Sequence, residues 1–332
     1  MVSSSKVHSA DVKRRVRRTE VGELETKFKV FEPKESPYIA RIIHKQVQEY
    51  FHNGILDDIV KRHGNRNITV FDVGSNIGMF ALEVMRRTEG EANVYCFEPV
   101  PATYSVLDLN IKESIDPPNA FRKAGQKVKA LPFGLSDSAR TVTFSYRPHA
   151  PECSSMYDAQ LLKGDRTTMS REDEIEHFTE KAYDPDFPLW KDHPLMYCFV
   201  KSVYPRFMLR AGVAKWLDDY NKTEEVTANL RRLSSVIEQE KVKKIDLLKI
   251  DVELAELDVL KGIDDQDWPK IEAVVIEVHD VDGRLDEIKS LLTMHHISDF
   301  TIFQEDGMKG GNIFHVCARR PRSSMTSIDL YV

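Results

Sequence analysis

Between the apolar run Ile68–Val73 and a helical pattern starting at Met79 lies Asp72-Val73-Gly74-Ser75-Asn76-Ile77-Gly78. Glycine at a strand-to-helix junction lets the backbone turn tightly and approach a ligand, because no Cβ intervenes. Glu98 ends the next apolar run, 20 residues beyond Gly78 (98 − 78). An acidic side chain there can accept hydrogen bonds from both ribose hydroxyls of an adenosine cofactor. The dinucleotide fingerprint G-x-G-x-x-G is missing: the two glycines are four apart, with Asn76 between them. A pyrophosphate needs the middle glycine, whereas S-adenosylmethionine carries no phosphate, only an amino-acid end and a sulfonium. Asp72 suits its ammonium and would repel a pyrophosphate. Asp72, Gly74, Ser75, Asn76, Gly78 and Glu98 are therefore expected to bind the cofactor, with a plain packing turn as the alternative.

Three further clusters carry chemistry. Lys249-Ile250-Asp251-Val252-Glu253-Leu254-Ala255-Glu256 follows the run Ile245–Ile250. Ligands of open α/β sheets sit beyond the carboxyl ends of the strands. Asp251 and Glu253 can then act as a general base or hold a divalent metal through oxygen. The competing reading makes Asp251 the N-cap of a helix ending near Gly262, with Glu253 and Glu256 complementing its dipole. In Glu277-Val278-His279-Asp280, period-two alternation puts Glu277 and His279 on one side of a strand. His279 there is either a proton acceptor or a satisfied structural histidine. Ser136 and Asp137, after the run Val128–Leu131, are placed to meet adenine or to form an ordinary turn.

The elements that must position these residues alternate. Ile68–Val73, Val94–Phe97, Val128–Leu131, Ile245–Ile250 and Ala273–Val278 are continuous apolar runs, as in strands buried on both faces of a parallel sheet. Helical patterns fall between them, at Met79–Arg87 and along Tyr104, Leu107 and Ile111. This is the rhythm of an α/β, Rossmann-like doubly wound sheet. Leu285–Leu292 reads as a helix, and Thr301–Gln304 and Phe314–Ala318 as a closing hairpin. Residues 1–64 are expected to hold a polar lead-in to about residue 35, including a solvated basic stretch Arg14–Arg18, and then a helical extension broken at Asn53-Gly54. The catalytic domain is placed at 65–320, with an insertion at about 150–235 and a tail at 321–332. In the insertion, Val213, Trp216, Leu217 and Tyr220 share a helical face.

Composition excludes some partners. A formal net charge of -6 lacks the basic footprint duplex nucleic acid needs. Four scattered cysteines make neither a zinc knuckle nor a disulfide framework. No apolar run reaches the roughly 20 residues of a membrane span. Cytosolic residence is the expectation, because Asp11 and Glu20 spoil the acid-poor pattern of a transit peptide. Oligomeric state is left open.

In combination, DVGSNIGMF (72–80), CFEPVPATY (96–104), GLSD (134–137), IDLLKIDVELAELDVLKGI (245–263) and VVIEVHD (274–280) resemble the FkbM family of S-adenosylmethionine-dependent methyltransferases. The similarity spans roughly 66–150 and 226–320. It implies the class I methyltransferase sheet with a reversed final strand, and O-methylation of a small-molecule acceptor. Family members commonly have glycine after the KIDVE glutamate, where this chain has Leu254. N-methylation, a nicotinamide-dependent oxidoreductase and a non-enzymatic interaction protein on the same fold are the rival readings.

Overall fold

The computed structural model describes residues 9–21, 28–37, 39–52, 54–63, 68–115, 128–157, 170–182, 206–304 and 310–321. Its strands are β1 (Val16–Val21), β2 (Phe28–Pro33), β3 (Ile68–Val73), β4 (Ala92–Phe97), β5 (Val128–Leu131), β6 (Gly134–Leu135), β7 (Arg140–Tyr146), β8 (Glu224–Arg231), β9 (Leu247–Ile250), β10 (Ala273–His279), β11 (Asp299–Phe303) and β12 (Ile313–Arg319). Seven of them form the central sheet in the order β11-β12-β10-β9-β3-β4-β5. From β5 to β10 every pairing is parallel, while β12 runs antiparallel to both β10 and β11. This is the expected doubly wound arrangement with a reversed last strand. The order changes direction between β3 and β9, and the crevice beyond their carboxyl ends is where such sheets bind ligands.

Burial explains the unalternating apolar runs. In β3, Ile68 and Val70 enter one core while Phe71 and Val73 enter the other. In β10, Ala273 and Val275 take the first side and Val274, Ile276 and Val278 the second. Among the described residues, no helix is long and apolar enough to cross a membrane. Cys96, Cys153 and Cys317 are free thiols, and Cys198 lies outside the described residues.

The N-terminal region corrects the expectation of a polar lead-in. After a helix Ser9–Arg15, β1 and β2 pair as an antiparallel ribbon. Arg17 is no solvated tail residue: its Nε donates to the fully buried Glu32 carboxylate at 2.6 Å. The other Glu32 oxygen accepts the backbone N–H of Ala40 at 3.1 Å, in the first turn of the helix Ile39–His52. Satisfying an otherwise orphaned helical donor fixes where that helix begins. Its face of Ile39, Ile43, Val47, Tyr50 and Phe51 is buried, and Phe51 stacks on Phe80 of the helix Met79–Arg87 at 5.1 Å. Gly54, at φ 70°, separates it from the helix Ile55–His63, as the Asn53-Gly54 break implies.

β6, β8 and β7 form a second, three-stranded sheet. β7 and β8 pair antiparallel and bring together the two ends of the expected insertion. The helices Arg171–Ala182 and Arg206–Tyr220 pack together beyond them, through the Phe178–Trp216 ring contact at 5.3 Å. On the second helix Leu217 is buried but Trp216 remains exposed, so the apolar face expected there is only partly covered.

Candidate active site

A cleft of about 970 Å³ opens at the switch point, between the ends of β3, β4 and β9, the helix Ile39–His52 and the segment after β7. Gly74 and Ser75 donate their N–H groups to the Phe97 carbonyl at 3.1 and 3.0 Å, which folds the loop over the end of β4. Gly74 has φ 77°, and a Cβ there would run into the Asp251 carbonyl oxygen. Glycine is therefore required twice over, by conformation and by the close approach of β9. Asn76 is left-handed at φ 48°, which asparagine tolerates. Its N–H donates to Glu98 Oε2 at 3.0 Å, and Val100 N–H donates to Oε1 at 2.9 Å. The Glu98 carboxyl lines the cleft. Burial pushes the Glu98 carboxyl up to about 8, against the pull of those two N–H groups. Asn76 Oδ1 is buried on the cleft wall without a hydrogen-bond partner. An orphaned acceptor beside a diol-sized carboxylate fits a cofactor with an ammonium and a ribose.

The expected cofactor residues separate into two groups. Gly74, Ser75, Asn76 and Glu98 line the cleft. Gly78, at φ 92°, begins the helix Met79–Arg87 one turn behind it. Asp72 is fully buried and does not line the cleft wall. It faces Lys249, whose Nζ lies 3.2 Å from Asp72 Oδ1, 2.8 Å from the Gly74 carbonyl and 3.4 Å from Asp251 Oδ2. Burial opposes the Lys249 charge, but Asp251 and Asp72 outweigh it and raise its pKa. Lys249 thus ties the cofactor loop to the end of β9. Ser136 and Asp137 do not line the cleft, whereas their neighbours Gly134 and Leu135 do. Asp137 is exposed and pairs with Arg140, and the buried Ser136 donates its N–H to the Arg231 carbonyl.

Beyond the loop stands a group of carboxylates. Asp251, Glu253 and Glu277 all line the cleft. Asp251 is not a helix cap: the helix starts at Glu256 and is preceded by Ala255. Tyr50 Oη lies 3.1 Å from Asp251 Oδ2 and 3.2 Å from Glu277 Oε2. Glu152, contributed by the segment after β7, joins the same wall, and burial reinforced by Glu253 pushes it up to about 7. Its Oε2 is buried without a partner.

His279 differs most from expectation. Its Nε2 is 3.2 Å from Glu253 Oε2 and its Nδ1 is 2.8 Å from Glu256 Oε1. Burial lowers its pKa, but the two carboxylates outweigh burial and raise it to about 11. A doubly protonated imidazole has no lone pair with which to take a proton. Glu253, Glu277 and His279 do bring one potential donor atom each within 4.8 Å of the others. Here the imidazolium itself is the cation that compensates Glu253. Tyr50 and Glu152 are the members of the site that sequence reasoning passed over, and Glu277 was placed beside His279 without a role. Tyr50 reads as one more core position on an amphipathic helix, and Glu152 carries no local signal at all.

The chain is similar to known methyltransferases along most of its length. Residues 72–300 match the model of the methyltransferase FkbM domain. The 31-O-demethyl-FK506 methyltransferase FkbM of Streptomyces tacrolimicus is 31% identical over 287 residues, covering 85% of this chain and 93% of that protein. The methyltransferase sdnD of Sordaria araneosa is 30% identical over 234 residues, covering 68% of this chain and 72% of that one. The AMB antimetabolite synthetase AmbE of Pseudomonas aeruginosa is 29% identical over 282 residues, which are 82% of this chain but only 12% of the much longer AmbE. A match to the domain over more than half of its residues, on a sheet with the reversed last strand, places this chain in the FkbM family of S-adenosylmethionine-dependent methyltransferases.

Proposed function

We propose that the protein transfers a methyl group to a hydroxyl oxygen of a small acceptor, with Asp251 as the base. The observation that carries this reading is the position of Asp251. Its N–H donates to the Val73 carbonyl at 3.1 Å and its carbonyl packs on Gly74, so its carboxylate stands beside the loop that would hold the methyl donor. S-adenosylmethionine, when bound, supplies an electrophilic methyl on a sulfonium. Glu98 holds the ribose hydroxyls, Asn76 Oδ1 takes a donor from the amino-acid end, and Gly74 and Ser75 form the floor. Asp72 acts from behind, through Lys249. Orientation supplies most of the acceleration, since in-line transfer between a donor and a nucleophile is chiefly a problem of alignment. Asp251 removes the hydroxyl proton as the new bond forms. Glu253, oriented by His279, borders the acceptor.

The wall beyond the donor selects the acceptor by charge. Glu152, Asp251, Glu253 and Glu277 face it, and Lys249, the one lysine or arginine among the described residues of the cleft wall, is committed to Asp72, Gly74 and Asp251. An acceptor rich in hydroxyl or amino donors suits this wall, and one bearing a carboxylate or phosphate is repelled. The 31-O-demethyl-FK506 methyltransferase of Streptomyces tacrolimicus is named for an oxygen acceptor, which supports the choice of oxygen here. Calorimetry with S-adenosylmethionine comes first, then mass spectrometry of a cell extract incubated with the protein and isotopically labelled donor. Label on oxygen of a neutral or amino-bearing small molecule is the expected outcome. Folded protein that does not bind the donor, or label confined to anionic acceptors, would overturn the proposal.

A further inference from the structure

Tyr50 has one phenolic proton and two carboxylate oxygens at hydrogen-bond distance, Asp251 Oδ2 at 3.1 Å and Glu277 Oε2 at 3.2 Å. It can donate to only one of them. If both acids were ionised, the second would face the phenol's lone pairs at contact distance in a buried site, which is repulsive. The arrangement is satisfied by one more proton, carried by a carboxyl that donates to the Tyr50 oxygen. We propose that Glu277 is the acid that keeps this proton at neutral pH, acting as a positioning residue: it donates to Tyr50, which in turn donates to Asp251 and leaves Asp251 the charged base.

The surroundings decide which acid holds the proton. The Glu277 side chain is 7% exposed and that of Asp251 29%, and Lys249 Nζ lies 3.4 Å from Asp251. Water and a cation both favour charge on Asp251. Tyr50, from the helix Ile39–His52, and the charge of His279 favour the ionised form of Glu277, while burial and the charges of Asp251 and Glu253, from the loop after β9, oppose it and prevail. From β12 comes His315, with its Nε2 at 3.7 Å. On its own strand, His279 is committed to Glu253 and Glu256. Burial, followed by the charges of Asp251 and Glu253, pushes the Glu277 carboxyl well above the ordinary range. During transfer the acceptor O–H bond breaks and an O–H bond forms on the Asp251 carboxylate. That proton leaves to solvent with the product, and Glu277 keeps its own throughout.

The inference rests on the methyl-transfer reading for its kinetic test only, and infrared spectroscopy of the full chain tests it separately. At neutral pH the spectrum of the wild type minus that of Glu277→Gln should contain the carbonyl band of a neutral carboxylic acid, shifted in heavy water, while any band from Glu98 or Glu152 is common to both proteins and cancels. In transfer assays Glu277→Gln, whose amide can donate to Tyr50 as the acid does, should be at least about 10-fold faster in kcat than Glu277→Ala. It should also lack the alkaline decline that the wild type shows as Glu277 ionises. Tyr50→Phe should lower kcat with KM held, a split that simple loss of packing does not produce. A difference spectrum with no neutral-acid band overturns the inference even if methyl transfer is confirmed. So does Glu277→Gln no faster than Glu277→Ala.

Discussion

Leu254 sits at φ 78°, directly after Glu253 at φ 47°, in the loop that carries the acidic residues of the cleft. The left-handed region costs an L-residue roughly 1–2 kcal/mol, and the family usually places glycine here. Leucine is tolerated because it is buried, 2% exposed, and burying such a side chain returns about 1.5–3 kcal/mol. Its N–H also donates to Glu256 Oε1 at 2.9 Å. These magnitudes fix an unusual order of stability. Leu254→Ala loses the burial, about 2–5 kcal/mol for a core leucine, and keeps the strain. Leu254→Gly loses the same contacts but relieves the strain, at a cost of about 0.5–1 kcal/mol for the freer chain. The glycine variant should therefore be more stable than the alanine variant by about 1 kcal/mol, the reverse of their order in a helix or strand. Both should fall below the wild type. Urea unfolding midpoints at equal m-values measure this directly. An alanine variant as stable as the glycine variant would refute the claim that strain is stored at this turn.

Burial holds Glu98 up to about 8 in the free protein, so its stabilising contribution to folding is present below the unfolded value near 4.5 and fades as pH rises through about 8. Ribose hydroxyls favour the ionised acid, so cofactor binding at neutral pH should release a proton. Calorimetry in buffers of different ionisation enthalpy would show it, and buffer-independent heats, or release unchanged in Glu98→Gln, would contradict it. His279→Ala leaves Glu253 and Glu256 without their shared imidazolium and should cost about 3–5 kcal/mol in urea unfolding. Because the folded value is raised to about 11, the stabilisation is fully present below about 6.5 and is lost only as pH climbs through 11, so the deficit is largest in mildly acid solution and shrinks as pH rises. A deficit that instead grows with pH argues that His279 is neutral. With that imidazolium serving as the cation of the network, dialysis against a chelator should leave the transfer rate unchanged, and a rate restored only by a divalent metal would refute that role.

Residues were readable from the sequence where their task is set by near neighbours. A strand buried on both faces must be apolar without alternation, which exposed β3, β4, β9 and β10. A tight turn against another backbone must be glycine, which exposed Gly74. Glu98 follows from its place at the end of β4. Direction is harder to read than position. Asp72 belongs to the loop's sequence yet is buried against Lys249, and that partner lies 177 positions along the chain (249 − 72). His279 was recognisable as an ionisable group at a strand end, but its proton is fixed by Glu253 and Glu256 on a separate element.

The N-terminal segment shows the same limit from the other side. Val16–Val21 and Phe28–Pro33 are short and carry charges, so nothing in their composition announces a paired ribbon. Their pairing becomes favourable only against the rest of the fold. Asn110, in the helix Pro101–Asn110, accepts Phe31 N–H at 2.7 Å and donates to the carbonyls of Phe31 and Ile77 at 2.9 and 2.8 Å. The ribbon is thereby stapled to the cofactor loop itself. From it, Glu32 fixes the start of the helix Ile39–His52, and that helix delivers Tyr50 to Asp251 across 201 positions of sequence. Read this way, the extension before the methyltransferase sheet belongs to the machinery of the site. It supplies the hydroxyl that links Asp251 to Glu277.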